Sequence, residues 1–141
     1  MVIPLTLLYL DDNGYHLLVE IHVFDRVFKA VLDTGASKTV FDKQTVAAFV
    51  AEEALQGTDR VSTGLGTTSM ESFTLSVPRL RIGPLQMDNV EIAVLDLSSI
   101  NFTYEKLEIE PVIGVIGGDI LHKYGAVIDY GNKTLIFNDE L

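Results

Sequence analysis

Residues 30–40 read AVLDTGASKTV, and this stretch decides the fold. It places one carboxylate, Asp33, between two short apolar runs that favour β-strands, with Thr34 and Gly35 directly after it. A strand that ends in this way presents its carboxylate on a tight loop, where small residues let backbone N–H groups approach and bind the ionised oxygen. The pattern therefore predicts an Asp33 that is held, oriented and partly desolvated. Asp and Gly are also common at ordinary strand-to-turn junctions, so the triplet alone leaves both interpretations open.

Two further segments follow downstream. Residues 61–68, VSTGLGTT, place a Gly-containing tip between polar residues that favour β-structure, and residues 115–121, VIGGDIL, place two apolar residues and a Gly before a helix-like run. Together with the Asp33 loop, and in this order, they resemble the retropepsin-like aspartic proteases, of the bacterial rather than the viral type. In such a lobe the first segment would be the flap hairpin, and the second would run under the catalytic loop. The resemblance extends from residue 3 to residue 137.

The resemblance implies an all-β fold, a closed, barrel-like acid protease lobe with one or two short helices. It also implies catalysis by Asp33, Thr34 and Gly35 without a cofactor or a metal. Substrate contacts would come from residues beside the loop, in the flap and in the segment beneath the loop: Ala36, Ser37, Thr63, Gly64, Leu65, Gly66, Val115 and Ile116.

The chain has one Asp-Thr-Gly triplet and no internal repeat, so a working pair of carboxylates requires a second copy of the chain. Two carboxylates suit peptide hydrolysis, because one takes a proton from water while the other gives one to the carbonyl oxygen. The sharing of one proton by such a pair is a known property of the aspartic proteases. We therefore expect a homodimer with Asp33 of each copy at the two-fold axis, where Thr34 would hydrogen-bond across the axis. In related dimers the chain ends form a shared sheet, so we expect residues 2–8 and 134–137, otherwise unpaired edges, to seal the dimer.

Size and composition restrict the function further. The 141 residues fit a single domain, residues 1–141. A formal charge of -10 argues against nucleic acid and anionic membranes as partners, since both require clustered Lys and Arg. The absence of cysteine excludes disulfides, zinc–thiolate sites and thiol catalysis. The apolar first ten residues lack a basic start and a small-residue cleavage site, so we expect a cytoplasmic protein.

Turn signals and periodicity predict the secondary structure. The sequence Asp11-Asp12-Asn13-Gly14 would join strands at 2–10 and 15–24, and the apolar odd positions of the second strand would face the core. Asp42 would cap a helix that extends over residues 43–55. The remaining predicted elements are a strand at 39–41, a hairpin over 81–94 that turns at Gly83-Pro84, a helix at 98–107, and a closing hairpin from 126–130 and 134–137.

Some of these residues allow other interpretations. His16, Glu20 and His22 share one strand face and could hold a metal, but a solvated polar face also explains them. Gly64-Leu65-Gly66 lacks the residues of a phosphate-binding loop, although a plain hairpin tip is an alternative to a flap. Asp119 could pass for a second catalytic carboxylate, yet no Thr-Gly follows it, so a residue at the start of a helix is favoured.

The favoured function is therefore an aspartic endopeptidase that acts on peptides or proteins as a homodimer. The rival is a non-catalytic retropepsin-fold dimer, or a peptide-binding or regulatory module, in which Asp33 never forms the pair. Viral dimers of the family use an ion pair that has no counterpart at Gly118 or in residues 36–38, so a different seal is expected.

Overall fold

The computed structural model describes residues 1–11, 14–57 and 72–138. Within them the elements, in chain order, are β1 (Val2–Pro4), β2 (Thr6–Tyr9), β3 (Tyr15–Val23), β4 (Arg26–Leu32), β5 (Val40–Asp42), α1 (Lys43–Ala47), a short 3-10 helix (Glu52–Ala54), β6 (Gln56–Gly57), β7 (Phe73–Ile82), β8 (Leu85–Leu95), α2 (Ser98–Lys106), β9 (Gly114–Ile116), α3 (Gly118–Lys123), β10 (Val127–Asp129) and β11 (Thr134–Ile136).

Six strands close into a barrel in the order β3-β4-β9-β5-β8-β7, and β7 returns to β3 through the pair His22–Arg81. Most neighbours are antiparallel, but β4 with β9 and β5 with β8 are parallel. Because β9 lies between β4 and β5, it passes directly beside the strand that leads into Asp33. The expected all-β, closed-barrel fold with short helices is confirmed.

The first predicted hairpin forms only in part, because β2 pairs with β3 while Val2–Pro4 is a separate strand that pairs with β11. The hairpin predicted at Gly83-Pro84 is confirmed. Strands β7 and β8 pair down to Ile82 and Leu85, so the chain reverses at Gly83-Pro84. Gly83 has a φ of +55°, a left-handed conformation that glycine adopts without a steric penalty. Helix α2 also agrees with its prediction to within one residue.

Strand β3 follows its predicted alternation along most of its length. The odd positions that face the main core are Leu17, Val19, Ile21 and Val23. The prediction is wrong for Tyr15, which is 61% exposed and packs its ring against Tyr9 at the open end of the hairpin, with ring centroids 5.2 Å apart. Leu18, on the opposite face, is buried as well because a second apolar cluster lies outside the barrel.

Helix α1 is shorter than predicted. Asp42 caps its first turn as expected, but the helix ends after five residues at Ala47. The chain then turns, and Phe49 packs against the rings of Phe24 and Phe28, at centroid distances of 5.6 and 5.7 Å. This tertiary contact overrides the helical periodicity that the sequence carries beyond Ala47.

The chain ends meet in a small three-stranded sheet with the order β1-β11-β10. The expectation that residues 134–137 leave an unpaired edge is wrong, because β11 has a partner on both sides. Leu135 and Phe137 are buried in the main core. On the outer face, Val2, Ile136 and Val127 are register partners, and this terminal apolar row leaves Val2 64% and Val127 55% exposed.

Candidate active site

The Asp33 loop starts where β4 ends, and backbone hydrogen bonds fix its shape. The Asp33 N–H donates to the Ile116 carbonyl oxygen at 3.0 Å, and the Ala36 N–H donates to the Asp33 carbonyl oxygen at 3.1 Å. The Gly35 N–H donates to the Asp33 carboxylate oxygen Oδ1, also at 3.0 Å. The half-buried carboxylate is therefore oriented by a backbone donor, as the sequence predicts.

The segment from β9 into α3 supports the loop from below. The Gly118 N–H donates to the Ala36 carbonyl oxygen at 2.7 Å, and the Asp119 N–H donates to the Ser37 carbonyl oxygen at 3.2 Å. These bonds continue the contact between Asp33 and Ile116, so the loop is fixed along its length to one neighbouring segment.

A side-chain clamp closes the far end of the loop. Thr39 is completely buried, and its N–H donates to both Asp119 carboxylate oxygens at 3.0 Å. Its hydroxyl donates to Asp119 Oδ1 at 2.8 Å and accepts from the Gly117 N–H at 3.1 Å. Sequence reasoning missed Thr39; the only available signal was a β-branched hydroxyl residue at the end of the conspicuous loop.

Gly117 allows the two segments to approach each other this closely. A Cβ atom at this position would lie 2.6 Å from the carbonyl carbon and oxygen of Lys38 and 2.8 Å from the Ala36 carbonyl oxygen. At Gly118 the same atom would lie 3.5 Å from the Ala36 oxygen, an ordinary contact. Only the first glycine is therefore required by space.

The upper side of the loop is open. Thr34 and Gly35 are exposed, and the second Asp33 oxygen, Oδ2, has no hydrogen-bond partner among the residues that the structure describes. A Cβ on Gly35 would lie 3.3 Å from Asp33 Oδ1, so a side chain there would crowd the carboxylate. The arrangement presents one free carboxylate oxygen on a fixed loop, which suits a general base that acts on a bound water.

The residues predicted to contact substrate differ in their exposure. Ala36 is half-buried and Ser37 is exposed, whereas Val115 is only 8% exposed. Ile116 needs a correction, because its side chain is completely buried in the main core and it supports Asp33 through its carbonyl oxygen.

The flap residues are a separate case. Thr63, Gly64, Leu65 and Gly66 lie outside the described residues, so the flap stays a prediction.

Asp119 is fully engaged as a hydrogen-bond acceptor. Besides Thr39, it accepts from the Ile120 N–H at 2.9 Å. Its expected place at the start of a helix is correct, since α3 begins at Gly118. Both carboxylate oxygens are therefore occupied, which leaves Asp119 poorly suited to act as the catalytic partner of Asp33.

The three residues considered as an alternative metal site lie in two separate groups. His22 Nε2 lies 3.7 Å from Glu20 Oε1, while His16 Nδ1 is hydrogen-bonded to the Tyr104 hydroxyl at 2.7 Å. Across residues 1–11, 14–57 and 72–138, no three His, Cys, Asp or Glu side chains group closely enough to hold a metal ion.

A groove on the described surface lies away from the Asp33 loop. Its volume is about 610 Å³, and it lies at the seam between β3 and β7, with Arg26, Arg79 and Arg81 along its sides. No residue of the Asp33 loop lines it.

No helix in the described part of the chain is long and apolar enough to cross a bilayer. The cytoplasmic location expected from the sequence stays a prediction.

Comparison with known proteins agrees with this geometry. Residues 19–120 match the family model described as aspartyl protease. No curated protein matches the chain significantly.

Solved structures that share the fold include the following three. The retroviral protease-like domain of Ddi1 from Leishmania major is 16% identical, with a TM-score of 0.62 and coverage of 89% of this chain and 90% of that one. A retropepsin-like aspartic protease from Rickettsia conorii is 19% identical, with a TM-score of 0.59 and coverage of 97% and 86%. The EIAV protease, complexed with the inhibitor HBY-793, is 20% identical, with a TM-score of 0.56 and coverage of 79% and 90%.

Proposed function

Because the chain belongs to the aspartyl protease family, we propose that it is an endopeptidase that hydrolyses peptide bonds with a pair of Asp33 carboxylates from two copies. The observation that carries the proposal is the asymmetry of the Asp33 carboxylate. One oxygen accepts from the Gly35 N–H at 3.0 Å, while the other has no partner among the described residues. A carboxylate held in this way is oriented but still free to act on a second group.

The proposed reaction uses one water molecule between the two carboxylates. The ionised Asp33 takes a proton from this water, whose oxygen attacks the peptide carbonyl carbon, while the protonated Asp33 of the other copy gives its proton to the carbonyl oxygen. The first Asp33 then passes its proton to the amide nitrogen while the other Asp33 takes back a proton from the tetrahedral intermediate, and the C–N bond breaks. The exposed Gly35 leaves room for water and the peptide backbone, and Ala36 and Ser37 line the approach.

A second copy is needed because no other suitable carboxylate stands ready on the described chain. Asp119, the other carboxylate that the sequence offered as a catalytic candidate, uses both oxygens to hold Thr39. The exposed Thr34, which directly follows Asp33, supports the same assembly, since its hydroxyl is available to a partner loop. Within the proposal, the flap at residues 63–66 closes over the peptide and excludes water.

The first test replaces the proposed base with an amide of the same shape. In Asp33→Asn, cleavage of a peptide library, read by mass spectrometry of new chain ends, should fall by at least about 100-fold. The matched control is Asp25→Asn, at the opposite end of β4, where Asn tolerates the left-handed φ of 57°. Cleavage by Asp33→Asn at the rate of the control would contradict the proposal.

The second test asks whether the carboxylates come from two copies. If equal amounts of wild type and Asp33→Asn exchange subunits at random, only about a quarter of the dimers hold two Asp33 residues. Activity per wild-type chain should therefore fall to about one half. An activity that stays constant per wild-type chain would show that one chain suffices.

A wild type that cleaves nothing would favour the non-catalytic alternative. A peptide inhibitor with a central secondary alcohol, which mimics the tetrahedral intermediate, separates the two functions. The protease should bind it more tightly than the matched peptide without the hydroxyl, and Asp33→Asn should abolish the difference. A peptide-binding module would bind both peptides equally.

A further inference from the structure

Three of the four arginines of the chain line one groove, at the seam where β7 closes the barrel onto β3. They are Arg26, the first residue of β4, and Arg79 and Arg81 on β7. The whole chain carries a formal charge of -10, yet Asp25 is the only carboxylate among the described residues that line this groove. We call this site the arginine groove.

The protein itself does not neutralise these three guanidinium groups. Within residues 1–11, 14–57 and 72–138, no carboxylate oxygen lies within 4.0 Å of any of their nitrogens. Arg79 stands opposite Asp88 in register, but the Asp88 carboxylate accepts from the Gln86 amide, at 3.4 Å. All three arginines are exposed. The groove therefore holds positive charge that is available to a negatively charged ligand.

Strand pairing fixes the backbone that carries these charges. His22 of β3 is the register partner of Arg81, and Arg81 is in turn the partner of Gln86 on β8. On the other side of the groove, the guanidinium of Arg26 lies 5.3 Å from the centroid of the Phe49 ring. A ligand would therefore meet an arrangement that is largely formed in advance, which lowers the entropy cost of binding.

The spacing of the two arginines on β7 suits an extended peptide. Arg79 and Arg81 are alternate residues, so both lie on the outer face, while Leu80 between them is buried. Their Cα atoms are about 7 Å apart, which is twice the rise per residue of a strand. An extended peptide with Asp or Glu at every second residue repeats its carboxylates at the same interval, and arginine binds a carboxylate through two parallel N–H donors.

We propose that the arginine groove is an exosite, a binding site outside the active site, that holds an extended acidic segment of a protein substrate. The inference rests on the proposed protease function and adds a substrate class. Arg26 precedes Asp33 by seven positions on one strand, so the two residues are about 23 Å apart. Because an extended chain covers at most about 3.6 Å per residue, the acidic segment must lie at least about seven residues from the scissile bond.

The first experiment measures binding and needs no catalysis. The probe is a fluorescent peptide of alternating Thr and Glu, and fluorescence anisotropy follows its binding to the full chain with Asp33→Asn. Adding Arg79→Gln and Arg81→Gln should weaken binding by at least about 5-fold, because two exposed charge pairs are lost. The matched control, Lys106→Gln with Lys123→Gln, removes two charges at exposed positions of α2 and α3 and should stay within about twofold.

Two further measurements identify what the groove recognises. The probe with Gln in place of Glu should bind no better than a Thr-only peptide, and high salt should abolish binding of the Glu probe. Inorganic phosphate should compete no better than chloride at the same ionic strength. Equal binding by the two double variants would overturn the exosite. Displacement by phosphate at the concentration of the probe would also overturn it, in favour of a site for a small anion.

The second experiment tests the role in cleavage. A peptide that the wild type cleaves is extended with Glu-Thr-Glu, or with Gln-Thr-Gln as its match, at about two or about 15 residues from the scissile bond. A flexible spacer of about 15 residues spans about 22 Å on average, so only the distant segment reaches the groove. There the ratio of kcat/KM for the Glu peptide to that for the Gln peptide should be at least about 3.

The arginine variant decides how this ratio is interpreted. Arg79→Gln with Arg81→Gln should lower the ratio at the distant position to about 1, and it should leave the ratio at the near position as in wild type. A probe that binds while the distant ratio is 1 in the wild type would overturn the exosite, although the protease function stands. A wild type that cleaves no peptide overturns the proposed function and the exosite role with it.

Discussion

Thr39 and Asp119 are 80 positions apart in the chain, yet three short contacts join the N–H and hydroxyl of Thr39 to the Asp119 carboxylate. This clamp connects the end of the Asp33 loop to the start of α3. Thr39 is completely buried, whereas Asp119 is exposed, so the Asp119 carboxylate is the group that satisfies the Thr39 N–H at the surface. The geometry of the candidate active site therefore depends on a residue that does not itself belong to the proposed catalytic triplet.

Asp119→Ala should lower the free energy of unfolding by about 1–2 kcal/mol, because the N–H and hydroxyl of Thr39 lose a charged acceptor that water at this exposed position replaces only in part. Urea unfolding measures this change, and peptide cleavage should fall with it because the loop loses its anchor. Glu105→Ala, at an exposed carboxylate on α2, is the control and should be near neutral. Equal free energies of unfolding for the two variants would mean that the clamp does not stabilise the folded protein.

Gly117→Ala should disrupt the site, whereas Gly118→Ala should be tolerated. The first substitution places a methyl group 2.6 Å from the Lys38 carbonyl, so the loop or β9 must move. The second places it 3.5 Å from the nearest atom, at the start of a helix where Ala is favoured over Gly. Thermal unfolding and cleavage assays on both variants distinguish them. Two variants with the same midpoint and activity would contradict the close packing described for the site.

The sequence predicted the parts of the fold that depend on local chemistry. Gly83-Pro84 specified its own hairpin, and Asp42 specified the start of α1, because turn and capping preferences act within a few residues. The end of α1 could not be predicted, because Phe49 packs against Phe24 and Phe28, and these partners are known only from the fold.

The same division holds for the candidate site, where local features were predictable from the sequence and long-range contacts were not. Asp33, Thr34 and Gly35 were recognisable from a local triplet, and the Gly35 donor to the carboxylate follows from the small residues there. The contacts of Thr39 were not predictable, and neither was the buried cluster of Leu18, Val31 and Val115 under α2, because its members come from separate strands that only the barrel brings together.

Alkaline pH should destabilise the protein through Tyr104. Burial raises the pKa of this phenol from 10.0 to about 12. The folded state therefore keeps the proton over a range where the unfolded chain releases it. The contribution is fully present below pH 10 and is lost as pH rises from about 10 to about 12, by about 2–3 kcal/mol in total.

Chemical denaturation at a series of pH values, for wild type and Tyr104→Phe, measures this contribution. The difference between the two proteins should decrease steadily above pH 10. A difference that is constant with pH would show that Tyr104 ionises equally well in the folded state.

Deletion of residues 134–141 would not be a clean test of the dimer seal expected at the chain ends, because it would damage the protomer. Strand β11 is the central strand of the terminal sheet, and Leu135 and Phe137 are part of the main core. A surface substitution in the terminal apolar row is the cleaner experiment, because it leaves the core intact.

Val127→Glu should dissociate the proposed dimer and abolish cleavage while the protomer stays folded. Val127 is 55% exposed and stands beside Ile136 on the outer face of the terminal sheet, so a dimer sealed through this face would bury the new charge without a partner. Val27→Glu is the control: this valine is also 55% exposed, but it lies on β4 at the groove between β3 and β7. Both variants add the same charge, so only the position differs.

Sedimentation over a dilution series should give a monomer for Val127→Glu and a wild-type dimer for Val27→Glu, with activity following the dimer fraction. If Val127→Glu associates as tightly as the control, the seal lies on another face of the barrel.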